Sequence, residues 1–261
     1  MVEITDNTVS FGFEDVTSEE KVARVKGVFR SVAPRYDLMN DLMSAGIHRL
    51  WKADTMARLN PQPGEHLVDV AGGTGDLVKA FLQRADRVAK RRGTSRAATA
   101  TICDINDAML AAGRTRRDLE VFGDRLNWIC GDAERLPFLD NSADALTIAF
   151  GIRNVSGRIN ALKDFRRVLK PGGRLAILEF SHMTAPLLQR AYDAYSFNVI
   201  PTMGGLVAGD KESYRYLIES IRRFPKQNDF AAEIKEAGFS RIGVTNFSGG
   251  IAALHTGWAL G

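Results

Sequence analysis

Three carboxylates and one glycine turn hold the chemistry this chain can do. Asp69 lies in the apolar run Leu67-Val68-Asp69-Val70-Ala71, which leads into Gly72-Gly73-Thr74-Gly75-Asp76. Glycine lacks a Cβ and tolerates positive φ, so such a turn brings backbone N–H groups close to a ligand. Asp104 closes the run Thr101-Ile102-Cys103, and Asp132 follows Ile129-Cys130-Gly131. A carboxylate at Asp104 can accept both hydroxyls of a ribose. Asp132 can accept from a purine amine while the Ala133 N–H donates to a ring nitrogen. With Asp69, Gly73, Thr74 and Gly75 these residues outline a nucleoside-sized site. The plainer reading of Asp104 is a helix N-cap, a role that Asn106 or Asp107 can fill equally well.

Other chemistries find no support. A dinucleotide fingerprint starting at Gly73 needs a small residue where Val78 stands. No lysine occupies a phosphate-loop position, and Gly-x-Ser-x-Gly is absent. His48, His66, His182 and His255 show no metal-ligand spacing, so no metal site is expected. The net charge of +4 is mild and no basic run is interleaved with aromatics, which argues against nucleic acid as a partner. The two cysteines, Cys103 and Cys130, make no disulfide framework and fit a reducing cytosol. The acidic N-terminus is not a secretory or mitochondrial leader. The longest uncharged stretch, 194–209, is interrupted by Pro201 and too short to span a bilayer.

For the three acids to meet, the runs that carry them must be neighbouring parallel strands ending at one edge. Strands are predicted at 66–71, 98–103, 126–130, 145–150 and 174–180, with helices at 75–84, 106–117 and 156–169 between them. Ser156 is placed to cap the last helix, and Lys170-Pro171-Gly172-Gly173 to stop it. A helix at 229–237 and strands at 240–247 and 251–259 complete a doubly wound, mostly parallel seven-stranded α/β sheet. All 261 residues read as one domain. Residues 1–20 read as a loose arm. Residues 21–59 read as helices with an apolar stripe of Met39, Leu42, Met43, Ile47 and Leu50. The basic stretch 85–97 reads as a solvated insertion, with anionic lipid contact as the minority reading. The aromatic stretch 181–225 (Tyr192, Tyr195, Phe197, Tyr214, Tyr216) reads as a substrate cover beside the carboxyl edge of the sheet.

An acidic residue followed by Gly-x-Gly resembles the first motif of S-adenosylmethionine (AdoMet) methyltransferases. Two longer stretches, Tyr36–Trp51 and Arg167–Ser181, closely resemble the signatures of the ubiquinone/menaquinone biosynthesis C-methyltransferases. The segments Phe150–Asn154, Ala191–Phe197 and Ser213–Leu217 look like the same family. The resemblance implies a class I AdoMet-dependent methyltransferase fold, with AdoMet as methyl donor and a polyprenylated quinol as acceptor. Matched position by position, it places cofactor contacts at Thr74, Asp104, Asp132 and Ala133. Ala149 stands where many members have serine. It also implies a cytoplasmic enzyme in transient contact with a membrane surface, and other quinone-biosynthesis enzymes as candidate partners.

Carbon is a poor nucleophile unless its ring is electron-rich, so the protein must orient a quinol and help it lose a phenolic proton. Arg153 is expected to face the substrate and stabilise the phenolate, with Asn154 orienting an oxygen. Asp37 and His48 are the candidate bases, His48 being as readily a structural hydrogen-bond partner. Tyr36 and Trp51 are expected to pack rather than to bind. Methylation of another phenolic or lipid acceptor, a catalytically silent scaffold subunit and a nicotinamide dehydrogenase stand as the other readings.

Overall fold

The computed structural model describes residues 8–32, 41, 44, 46–185 and 211–260. Its centre is a seven-stranded sheet of β3 (His66–Val70), β4 (Thr99–Asp104), β5 (Leu126–Cys130), β6 (Ala143–Ala149), β7 (Leu169–Phe180), β8 (Ser240–Phe247) and β9 (Ala252–Ala259). The spatial order is β5-β4-β3-β6-β7-β9-β8, and only β9 runs antiparallel to its neighbours. The strand order reverses between β3 and β6, where a parallel sheet opens a crevice at its carboxyl edge. Asp69 and Asp104 therefore meet on adjacent strands, and the residues after β5 join them.

Alternation along the strands makes two cores. Val68, Leu146, Ile148, Leu175 and Ile177 face Phe165 of α6 (Arg158–Val168) and Phe230 of α8 (Gln227–Glu236). Leu67, Ala100, Ile102, Ala145 and Ala176 face Met56 of α2 (His48–Leu59) and Phe81 of α3 (Asp76–Arg92). Helices α4 (Asp107–Arg114) and α5 (Arg117–Glu120) link β4 to β5.

A third layer lies over the carboxyl edge. The hairpin β1 (Thr8–Phe11) and β2 (Glu14–Thr17) leads into α1 (Ser18–Val32), and α7 (Lys211–Arg223) packs beside them. Its core joins Val25, Trp51, Phe150, Phe180, Tyr214 and Leu217.

Four sequence expectations need correction. The chain from residue 8 is a folded hairpin, because the Phe11 ring stacks 4.1 Å from Tyr216 and the Phe13 N–H donates to Glu219. Ala85–Arg92 completes α3 instead of looping out. Phe81, Leu82, Ala85 and Val88 continue one buried stripe, and Lys90, Arg91 and Arg92 complement the negative end of the helix. Ser156 does not cap α6. The N-cap is Gly157, whose N–H donates to Glu134. Lastly, α2 buries His48, Trp51, Thr55, Met56 and Leu59, leaving Leu50 69% exposed, so its apolar face is rotated from the expected stripe. Met39, Leu42, Met43, Tyr36, Tyr192, Tyr195 and Phe197 lie outside the described residues.

Candidate active site

The glycine turn follows β3 through an unusual conformation. Ala71 has φ +48°, and Phe150, just beyond β6, has φ +56°. Two side-chain-bearing residues in the left-handed region, on neighbouring strand ends, cost of the order of 1–2 kcal/mol each. Such strain concentrates at functional edges. Gly73 and Gly75 then take φ +55° and +90°. A Cβ on Gly72 would lie 2.8 Å from the Asp69 carboxylate, and one on Gly75 would lie 2.8 Å from Ile102. Neither position has room for a Cβ, so glycine is what lets the turn pack this closely against β3 and β4.

Asp104 reaches the turn from β4. Its Oδ2 accepts from the Gly73 N–H at 2.9 Å and its Oδ1 from the Asn106 N–H at 2.8 Å. Burial pushes its pKa up, against the pull of those two donors. The capping question resolves here. Asn106 caps α4 by accepting from the Ala108 N–H, so Asp104 is not needed as the cap.

A cleft of about 830 Å³, open mouth included, spans the three strand ends. Gly73, Asp104, Asp132, Ala133, Phe150 and Asn154 line it, and Val22, Val25 and Lys26 of α1 close one side. Its acids, Asp104, Asp132 and Glu134, outnumber its one lysine. That balance suits a cationic ligand and disfavours a pyrophosphate. A smaller cavity of about 340 Å³ adjoins it, lined by Lys52, Asp69, Gly73, Thr74 and Asp76 among others. Gly75 lines neither cavity; it shapes the start of α3. Asp69 is 1% exposed and accepts from the Thr147 hydroxyl at 2.6 Å. Burial pushes its carboxyl up to about 7.

Three donors lining the cleft have no partner among the described residues, the Nδ2 atoms of Asn106 and Asn154 and the Ser156 hydroxyl. Each is buried, so each awaits an acceptor. A purine nitrogen and a phenolic oxygen are acceptors of the right kind. The residues present therefore fit a nucleoside cofactor beside an oxygenated ring. Asn154 Oδ1 accepts from the Tyr216 hydroxyl at 2.9 Å, which turns its amide nitrogen away from that tyrosine.

The chain belongs to the ubiE/COQ5 methyltransferase family. That family's model matches residues 8–259. A Cereibacter sphaeroides protein named ubiquinone/menaquinone biosynthesis C-methyltransferase UbiE is 53% identical over 260 residues, all of both chains. A Paracoccus denitrificans protein of the same name is 54% identical over 96% of each chain. Among solved structures, an AdoMet-dependent methyltransferase from Aquifex aeolicus superposes with a TM-score of 0.58 at 14% identity, over 85% of this chain and 97% of that one. At that identity the likeness speaks for the fold.

Family membership does not bring every expected side chain to the cleft. Arg153 turns inward. Its side chain is 1% exposed and its guanidinium pairs with Glu179 at 2.7 Å, while also donating to the Phe150 carbonyl. A buried carboxylate needs such a partner, and burial pushes Glu179 up against the pull of Arg153. His48 is 1% exposed, with Nδ1 3.0 Å from the Ser44 hydroxyl and 3.5 Å from Asp41, and it lines neither cavity. Among the described residues its partners are Ser44 and Asp41. Asp37 lies outside the described residues. Trp51 packs as expected, stacked on Phe247 and edge-on to Phe180.

Sequence reasoning missed Lys21, Lys52, Asp76, Arg116 and Glu179. Lys21 is 3% exposed and donates to the Val155 carbonyl, latching α1 over the cleft. Burial, with Arg158 nearby, pushes its pKa down to about 8. Asp76 stands directly after the Gly-Thr-Gly turn, which is the one signal that could have found it. The other four depend on contacts between distant segments.

Proposed function

We propose that the larger cleft binds AdoMet and a quinol ring side by side, and that the chain transfers a methyl group to a ring carbon. As a member of its family, the chain is an AdoMet-dependent C-methyltransferase of quinone biosynthesis. The acceptors we assign are demethylmenaquinol and 2-polyprenyl-6-methoxy-1,4-benzoquinol. AdoMet, when bound, supplies an electrophilic methyl on a sulfonium with a neutral leaving group, so the chain needs little acid catalysis.

The chain's own residues do the rest. Asp104 accepts the ribose hydroxyls. Asp132 and the Ala133 N–H recognise the purine edge, and Asp69, Gly73 and Thr74 surround the amino-acid end. Gly75 holds the turn. Phe150, Val22 and Val25 supply an apolar slot for a ring and exclude water. Asn154 donates its free N–H to a quinol oxygen and so favours the phenolate as it forms. Arg153 acts behind it, gripping the Phe150 carbonyl and Glu179 and thereby fixing the turn that presents Asn154. Asp37 remains our candidate for accepting the ring proton. The partnerless Asn154 donor in an apolar, acid-rimmed cleft is the observation that carries this reading.

Membrane contact belongs to the same reading, because a polyprenylated quinol resides in a bilayer. Phe13 (51% exposed), Ile47 (38%) and Leu50 (69%) offer apolar surface in the N-terminal region. No helix among the described residues is long and apolar enough to cross a membrane. Contact is therefore with the surface, where other enzymes of the pathway are candidate neighbours.

The test incubates the protein with methyl-labelled AdoMet and each reduced acceptor carrying a short prenyl tail. Label on a ring carbon is expected, and the ratio between acceptors assigns the pathway. AdoMet binding without label on either acceptor would overturn the quinol assignment.

A further inference from the structure

The smaller cavity has a charge pattern that the larger cleft does not explain. Lys52 Nζ lies 2.9 Å from Asp76 Oδ2, and Arg116 lies 2.5 Å from Asp76 Oδ1. Arg116 and Lys79 then share Asp118, at 2.9 and 2.8 Å. The network thus holds three cations, Lys52, Arg116 and Lys79, against two carboxylates. Within this network one positive charge is left over, and Asp69 is a further acid on the same cavity. Of the three cations, only Lys52 lines the cavity. Its side chain is 13% exposed, so a charge meeting it there is weakly screened. Both oxygens of Asp76 are engaged, and although burial pushes its carboxyl up, Lys52 and Arg116 outweigh this and hold it near 2.

We propose that Lys52 recognises the α-carboxylate of the cofactor's amino-acid end, sharing its ammonium between that group and Asp76. This rests on the AdoMet reading of the larger cleft. Asp69 and Asp76 on the same cavity repel a simple anion such as phosphate. They accept a zwitterion whose ammonium lies beside its carboxylate. AdoMet carries an ammonium, a sulfonium and one carboxylate, so an acid-rich cavity with a single lysine matches it in sign at each point. The cavity also begins where the larger cleft ends, since Gly73 and Ala71 line both. A nucleoside over Asp104 therefore points its tail toward Lys52. Lysine offers three donors on one ammonium, so serving a second carboxylate requires no loss of the first.

Two ligands separate the proposal from its alternatives. S-adenosylhomocysteine keeps the amino-acid end, and 5′-methylthioadenosine lacks it. Calorimetric titration of the full chain with both ligands is compared for the wild type, Lys52→Met and Lys52→Arg. Lys52→Met is expected to weaken S-adenosylhomocysteine about tenfold or more and to change methylthioadenosine less than twofold, with Lys52→Arg recovering most of the loss. Lys52→Gln serves in place of Lys52→Met should the latter fail to fold. Equal weakening of both ligands would overturn the proposal, because it would mark Lys52 as a strut for the turn. Unchanged affinity for S-adenosylhomocysteine would overturn it too. If the wild type binds neither ligand, the AdoMet reading itself fails, and this proposal with it.

Discussion

The carboxyl edge of β3, β4 and β5 and the layer that covers it are built in different ways. At the edge, backbone and short side chains make the site. Gly73, Asp104, Asn106 and Ala108 are joined by bonds between residues at most 31 apart in the chain. In the cover, long side chains tie segments roughly two hundred residues apart. Phe11 stacks on Tyr216, the Phe13 N–H donates to Glu219, and Arg223 donates to the Phe13 carbonyl. The edge is fixed by sheet register. The cover is held, among the described residues, by contacts between segments far apart in the chain. The proposed cofactor contacts lie at the edge, and the proposed acceptor slot adds Val22 and Val25 of the cover.

The Arg153–Glu179 pair sits where the two regions join, and removing it should have the largest effect. Arg153→Ala leaves Glu179 buried without its cation, at a cost of about 3–5 kcal/mol. Denaturant unfolding should show that loss, and Arg153→Met combined with Glu179→Leu should recover most of it. A variant with wild-type stability and no turnover would instead return Arg153 to direct duty on the phenolate.

The buried acid of the edge should give the next largest effect. Asp69 is raised to about 7 in the folded chain, from an ordinary value near 3.8. Its protonated form is favoured on folding, so stability is greatest below pH 4 as far as this group is concerned. That contribution is lost as pH rises toward 7, by a few kcal/mol in all. Comparing unfolding of the wild type and Asp69→Asn across this window isolates the effect. Parallel pH profiles for the two proteins would contradict it. A bound cationic ligand favours the ionised acid, so AdoMet affinity should rise over the same window.

Asp104→Asn comes third. Amide for carboxylate keeps the shape but removes one charge-assisted acceptor, worth about 1.5–3 kcal/mol. Affinity for S-adenosylhomocysteine should fall by about tenfold to a hundredfold while apolar packing of the sheet is unchanged. A loss confined to acceptor turnover would break the division drawn between edge and cover.

That division also explains what the sequence made legible. Seven strands, the glycine turn and the acids after β3, β4 and β5 follow from local alternation and turn chemistry, which a chain cannot hide. The length of α3 was equally present in Ala85 and Val88, but five basic residues masked the stripe beneath them. The inward turn of Arg153 was hidden for another reason. An arginine after a strand points outward or inward according to whether a buried carboxylate waits for it, and Glu179 is supplied by a different strand. Lys52 is likewise silent in sequence, since only the packing of α2 against α3 brings it to Asp76. Registers are written locally, whereas charge partners across elements are not.

The smallest effect tests whether the cover is a separate unit at all. Phe11→Ala removes a stacked ring worth about 1 kcal/mol beyond its buried area. Among the described residues the hairpin also meets α7 through Phe13, whose N–H donates to Glu219 and whose carbonyl accepts from Arg223. Hydrogen exchange should accordingly speed up severalfold across β1, β2 and α1, because that layer opens more often. Amides of β3, β4 and β6 should keep their protection, since their bonds and their two cores do not involve Phe11. If protection falls evenly across sheet and cover, the two open together, and acceptor entry cannot proceed by loosening the cover over a standing cofactor site.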